Sequence, residues 1–440
     1  MTTGLAPGPG GTGVLTAGSG HQWESELVSA LSRPGARLRV VRRCVDIADV
    51  VAVASTGQIS VAIVSSDLRR LDAELVQRLR SGRVAVLAVH PAGDQATAVR
   101  LSRIGIPVTV ADDAGAEAIV AAVGEAMGEL ATAAAPRDQD WFGDTRTALA
   151  APGSSELLPP PAPAGSGNEA RGGVLGRVIA VWGPTGAPGR TTVAAGLAAE
   201  IAAAGVSTLL IDADVYGGVL ASAFGLLDES PGLAGACRMA ANGRLGPAEL
   251  TTLSWRINDE LTLLTGIPRP DRWPEVRPSS IPLVLDVARA LAAVVVVDCG
   301  FSLETDEEIS FDTVAPRRNG ATLAVLSDAD VVLAVGSADP PGMERLVRGL
   351  LELADVLPDV QPCVVLNRLR RTAASRDDAV AALRRFAGLS VTAALPEDRP
   401  GTDQAWRRGV PLTEAAAGSP LRVGLHDLAI SLSPRAMSGN

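Results

Sequence analysis

A chain of 440 residues, 47% of them hydrophobic, has room for two or three domains with sizeable cores. Its 39 basic residues are all arginines and no lysine occurs, which excludes Schiff-base chemistry, a lysine general base and a lysyl phosphate clamp. The 49 acids outweigh the arginines to a formal charge of -10, a balance that disfavours a dedicated nucleic-acid coat.

Residues 1–11, rich in Gly, Thr and Pro, read as a flexible N-terminus without the charged and apolar regions of a signal peptide. From 12 to 131, short apolar runs at 14–17, 38–41, 61–64, 84–89 and 108–110 alternate with helical patterns such as 23–31, 71–79 and 116–130. Five such strand-helix units predict a parallel, flavodoxin-like layered domain. In order and size of elements this segment resembles the receiver domain of response regulators. Such a receiver needs acids after the first strand, a phosphorylatable Asp ending the third and a lysine after the fifth. Here the first strand runs into Ala17-Gly18-Ser19-Gly20, Asp67 stands about two residues late, and no lysine exists. The segment is therefore expected to be a degenerate receiver, with Asp67 a solvated loop acid.

Residues 132–175, with Pro159-Pro160-Pro161-Ala162-Pro163 and Gly165-Ser166-Gly167, are too poor in large apolar side chains to fold and predict a disordered linker. From 176 to 433 the alternation resumes, with runs at 178–182, 208–211, 294–297, 331–335, 363–366 and 391–395. These runs are continuous, as in strands buried on both faces. The expected fold class is α/β, with two doubly wound parallel-sheet domains joined by the linker and a tail at 434–440. Trp255 and Trp273, in the otherwise opaque segment 215–293, are expected in the core. Cys44, Cys237, Cys299 and Cys363 are far apart and predict reduced, buried thiols, and the scattered histidines give no zinc pattern.

The first strand of the second domain is followed by Gly183-Pro184-Thr185-Gly186-Ala187-Pro188-Gly189-Arg190-Thr191-Thr192 and then a helical run. A turn of this kind can aim backbone N–H groups and a helix N-terminus at phosphates, with the Thr191 hydroxyl on Mg²⁺. Glycines alone would also suit an ordinary turn. Two later strands, however, end in Asp212-Ala213-Asp214 and in Asp298. Ligands in open α/β sheets sit beyond the carboxyl ends of the strands, so all three acids would reach the edge that carries the loop, where carboxylates hold the water shell of Mg²⁺.

Loop and acids together resemble the MinD/ParA family of deviant P-loop ATPases, over about 177–432. The matching positions are Gly186, Gly189, Thr191 and Thr192 in a loop of the form KGGxGKTT, Asp212 and Asp214 in DxD, and Asp298 at the Walker B strand end. The resemblance implies ATP and Mg²⁺ as cofactors, with Thr191, Asp298 and Asp212 serving the metal, and Asp214 positioning the attacking water with Asp212 as the second catalytic acid. It gives Asn367 to the adenine and the loop Pro396-Glu397-Asp398 to the base-proximal wall. It also implies a homodimer formed around ATP. The order of receiver-like domain, linker and ATPase looks most like the CpaE/TadZ branch, whose members are cytoplasmic localisation factors for pilus or secretion machinery; related proteins are described as septum-site or partitioning factors.

Departures from the family pattern shape the expectation. Thr185 and Arg190 stand where the family has lysines, Ala187 replaces a glycine, and Pro184 and Pro188 remove two N–H donors. Nucleotide binding is expected to survive with slow or absent hydrolysis, abolished by Arg190→Ala and kept by Arg190→Lys. The alternative is a nucleotide-independent scaffold acting through protein contacts. The cluster Arg368, Arg370, Arg371, Arg407 and Arg408 is read as solvated charge, so DNA binding is disfavoured. Residues 421–432 have leucines at helical spacing and predict a packing helix, so any membrane recruitment, to a partner at the membrane or cell pole, would be indirect.

Overall fold

The structure, a computed structural model, describes residues 12–18, 20–32, 38–133, 175–226, 232–304, 317–370 and 376–432. The segments read as N-terminus (1–11) and tail (434–440), nearly all of the linker, and Arg371 lie outside them. Among the described residues, the strands form two sheets.

The first sheet contains β1 (Thr12–Ala17), β2 (Leu38–Cys44), β3 (Val61–Ser65), β4 (Ala85–His90) and β5 (Thr109–Ala111), all parallel in the order β2-β1-β3-β4-β5. Alternation along β1 sends side chains to both faces. Val14 packs with Trp23, Leu27, Ile119 and Val123 from helices Gln22–Leu31 and Gly115–Ala133. Leu15 packs on the other side with Val50, Leu75 and Leu101 from helices Ile47–Ala54, Ala73–Ser81 and Gln95–Arg103. Burial on both faces is why these strands read as unbroken apolar runs. Asp67, just past β3, accepts from Ser65 Oγ at 2.5 Å and lies 3.0 Å from His21 Nε2.

The second sheet contains β6 (Arg177–Trp182), β7 (Thr208–Ala213), β8 (Trp255–Arg256), β9 (Leu261–Leu264), β10 (Val294–Cys299), β11 (Val331–Ser337), β12 (Cys363–Leu369) and β13 (Val391–Pro396). Its order is β13-β12-β11-β6-β10-β7-β9-β8, parallel throughout except for the β8–β9 edge pair. β6 is the first of these strands and sits between β10 and β11, so the chain winds away from it in both directions and leaves a crevice at its carboxyl end. Val178, Ala180 and Trp182 face helices Gly232–Ala241, Ile281–Leu291, Gly320–Asp328 and Pro340–Val356. Ile179 and Val181 face helices Arg190–Ala203 and Pro420–Leu432.

The last helix packs as its leucine spacing predicts. Leu421, Leu425, Leu428 and Leu432 are buried, each such side chain worth about 1.5–3 kcal/mol. Gly196 makes room for them, since a Cβ there would stand 2.4 Å from Leu425 Cδ1. No helix among the described residues is long and apolar enough to cross a membrane. Trp255 corrects the sequence expectation: it lies on the two-residue edge strand β8 and is 37% exposed, whereas Trp273 packs against the core. As an edge strand, β8 pairs with β9 alone and leaves the indole partly exposed.

The obscure segment 215–293 also carries the contact between the two sheet systems. Helix Ala73–Ser81 packs on the turn Pro278–Ser280 and on helix Gly232–Ala241, Glu74 pairs with Arg277, and Leu283 touches both cores.

Candidate functional site

Strand register assembles the site. Asp298 on β10 is level with Asp212 on β7 and with Val181 on β6, whose next turn is the glycine-bearing loop. The loop keeps a left-handed path at Gly186 (φ 98°), Ala187 (φ 51°) and Gly189 (φ 99°), before helix Arg190–Ala203 begins. Successive left- and right-handed residues turn backbone N–H groups inward and make an anion-binding concavity. Ala187 thus holds a left-handed conformation that favours glycine and bears the strain of its own Cβ. Thr185, Gly186 and Ala187 are exposed, while Pro184 and Pro188 are buried.

Arg190 folds back under this loop. Its Nε donates to the Cys299 carbonyl at 3.2 Å, its Nη1 to the carbonyls of Gly183 (3.1 Å) and Pro184 (3.2 Å), and its Nη2 lies 3.4 Å from Asp214 Oδ2. The planar guanidinium thereby ties the ends of β6 and β10 together, a task for which a compact ammonium has the wrong shape. Asn367, 4% exposed, donates from Nδ2 to the Pro188 carbonyl at 2.9 Å and closes the loop from the β12 side. A Cβ on Gly189 would stand 2.3 Å from that nitrogen, so this glycine is required twice, by backbone and by space.

The three acids are not equivalent. Asp212 accepts from the amides of Asp214 (3.2 Å) and Leu220 (3.1 Å), and Asp214 from those of Tyr216 (2.9 Å) and Gly217 (3.2 Å). Asp298 is 0% exposed, and among the described residues neither of its carboxylate oxygens has a hydrogen-bond partner. Burial, with Asp212 alongside, pushes its carboxyl well above the ordinary range, against the effect of the nearby Thr191 hydroxyl. Burial likewise pushes Asp212 up to about 7. A buried carboxylate without a partner is costly, and a cation held by Asp298 and Thr191 would remove that cost. Mg²⁺ takes oxygen ligands and keeps several waters, so the two protein oxygens would be joined by water and an incoming anion. The residues therefore fit Mg²⁺ bound with phosphate.

Thr192, Asn367, Pro396 and Asp398 line one cavity of about 290 Å³ beside the loop, together with Arg368, Glu397 and Arg399. Four residues assigned from sequence to the nucleotide thus converge here. Asp398 also caps helix Arg399–Arg408 through Gly401 N at 3.0 Å and accepts from Ser419. Arg370 and Arg399 both approach Glu397, at 3.6 and 3.3 Å.

The sequence reading missed the support of Asp214. Tyr216 donates to Asn319 Oδ1 at 2.5 Å, stacks on Phe301 with ring centroids 4.7 Å apart, and lies under Arg318. A readable sign is the Gly217-Gly218 pair: a Cβ on Gly218 would stand 2.7 Å from Asp212 Oδ1.

No family model and no curated protein matches this chain. Among solved structures it is similar to a ParA family ATPase from Chlorobium tepidum, with 18% identity over 59% of this chain and 99% of that one and a TM-score of 0.50. It is also similar to the cell division ATPase MinD of Pyrococcus furiosus, with 18% identity, the same coverages and a TM-score of 0.47. The septum site-determining protein MinD of Pyrococcus horikoshii, solved with Mg-ADP, gives 17% identity over 60% of this chain and 98% of that one, with a TM-score of 0.47. Over about 59% of its length, this chain is similar in fold to a ParA family ATPase.

Proposed function

We propose that the chain is a Mg-ATP-binding positional switch of the MinD/ParA type with weak or absent intrinsic hydrolysis. The observation that carries this reading is Asp298: a fully buried, unpartnered carboxylate at the carboxyl end of the sheet, beside the Thr191 hydroxyl and the left-handed loop. In the proposal Thr191 and Asp298 hold Mg²⁺, which neutralises phosphate charge. The loop amides cradle the phosphates, and the cavity under Asn367, Pro396 and Asp398 takes the base. Asp212 shapes the turn after β7 through its two amide contacts. Asp214 would have to leave Arg190 and its turn amides to orient a water, which supports slow hydrolysis.

Two copies closing around ATP would make nucleotide state control pairing, and pairing control partner binding. The first sheet system then serves as a degenerate receiver that targets the switch. This CpaE/TadZ-like arrangement would act in the cytoplasm and reach a membrane or pole only through a protein partner.

The scaffold reading draws on the same contacts, because Arg190 and Asn367 already satisfy the loop without a ligand. Size-exclusion chromatography with light scattering, with and without Mg-ATP, separates the two. A monomer-to-dimer shift that disappears in Thr191→Ala supports the switch; an unchanged mass together with no nucleotide binding supports the scaffold.

A further inference from the structure

Helix Pro340–Val356 leaves the carboxyl end of β11 and lies directly against the glycine-bearing loop. Asp339 caps its first turn through Gly342 N at 2.9 Å, and Leu346 sits on Gly336, where a Cβ would come within 2.4 Å of it. Gly349 allows the closest approach. A Cβ there would be 3.1 Å from Pro184 Cβ and 3.2 Å from Trp182 Cη2. Four residues earlier, on the same side of the helix, Arg345 leans toward the helix N-terminus, as long helical side chains do. Its arm lies flat on Gly186, with Nη1 2.5 Å, and Cδ and Cζ 3.2 Å, from where a Cβ would be. Any other residue at 186 would displace it.

Among the described residues no hydrogen bond or ion pair engages Arg345, and the residue is exposed. The neighbouring Arg348 pairs with Glu344 at 2.8 Å, and Arg190 is committed to three carbonyls and Asp214. Within the loop, Thr185 is neutral and Pro184 and Pro188 lack N–H donors. The loop therefore has no free cationic side chain of its own, while a guanidinium without a partner among the described residues rests against Gly186.

We propose that Arg345 is a phosphate-contacting residue that supplies, from helix Pro340–Val356, the positive charge the loop lacks at Thr185. The proposal rests on the Mg-ATP reading above. Guanidinium groups bind phosphate oxygens in pairs and remain charged at every working pH, so this arm, resting against Gly186, is placed beside an anion held by the loop amides.

Titration calorimetry of Mg-ATP into the full chain tests it, using wild type, Arg345→Ala, Arg345→Lys and Arg348→Ala, with melting curves as a check on folding. Arg345→Ala is expected to weaken binding about tenfold or more and to flatten its salt dependence. Arg345→Lys should keep part of the affinity, and Arg348→Ala should match wild type. Wild-type affinity in Arg345→Ala, while wild type itself binds, overturns this proposal alone. Absence of binding by wild type overturns the nucleotide reading and this proposal with it.

Discussion

Arg190 Nη2 lies 3.4 Å from Asp214 Oδ2, both side chains nearly buried, so the loop's arginine is engaged by the acid that follows β7, two strands away from β6. The same guanidinium holds the carbonyls of Gly183, Pro184 and Cys299. Arg190 is thus part of the loop's framework. Arg190→Ala is expected to destabilise the protein by about 2–3 kcal/mol, by leaving those carbonyls and Asp214 without their donor, and to abolish nucleotide binding. Arg190→Lys keeps the charge and should keep binding, with a lower melting temperature than wild type. Denaturant melts and calorimetry on the two variants check this.

Ala187 offers a gain in stability. Its φ of 51° costs a side chain about 1–2 kcal/mol, of which the greater freedom of glycine in the unfolded chain returns about half. Ala187→Gly should raise stability by about 0.5–1 kcal/mol, read as a melting temperature higher by ~1–4 °C. Ala187→Val should lower it.

The buried acids set an unusual pH dependence. Burial raises Asp212 from 3.8 to about 7 and Asp298 well above its ordinary value. The folded protein therefore keeps protons that the unfolded chain releases, and stability of the nucleotide-free protein falls as pH rises from about 4 through about 7. Asp298→Asn should flatten this slope and stabilise the nucleotide-free protein at neutral pH. Denaturant midpoints at pH 5 and pH 8 give the measurement.

The thiols should be inert in the folded state. Cys44, Cys237 and Cys299 are buried, and burial pushes the Cys44 and Cys237 thiols up to about 12. A thiol-reactive dye should label Cys363 at most in native protein, slowly because its thiol is also raised by burial, and all four cysteines after denaturation.

Much of this architecture is legible in the amino-acid sequence because strands buried on both faces leave continuous apolar runs. The runs at 178–182, 208–211 and 294–297 mark β6, β7 and β10, and each strand end then carries a candidate site position. The inequality among Asp212, Asp214 and Asp298 was not legible, since it depends on which backbone amides the turns after β7 present. Segment 215–293 was opaque for a related reason. Its short helices, its turn Pro278–Ser280 and the edge strand β8 are held by distant partners such as Glu74 and lack a period of their own. The orientation of Arg190 and the reach of Arg345 are matters of rotamer and helix placement, which spacing does not encode.

The proposed role of Asp298 is to await a cation that arrives with nucleotide. Its most direct test is calorimetric titration of ATP into wild type and Asp298→Asn, each with Mg²⁺ and with chelator. Wild type is expected to bind ATP only with Mg²⁺, and Asp298→Asn to lose that binding although it melts at a higher temperature. Wild-type protein that takes no ATP in Mg²⁺, or an Asp298→Asn variant that binds as wild type does, would contradict it.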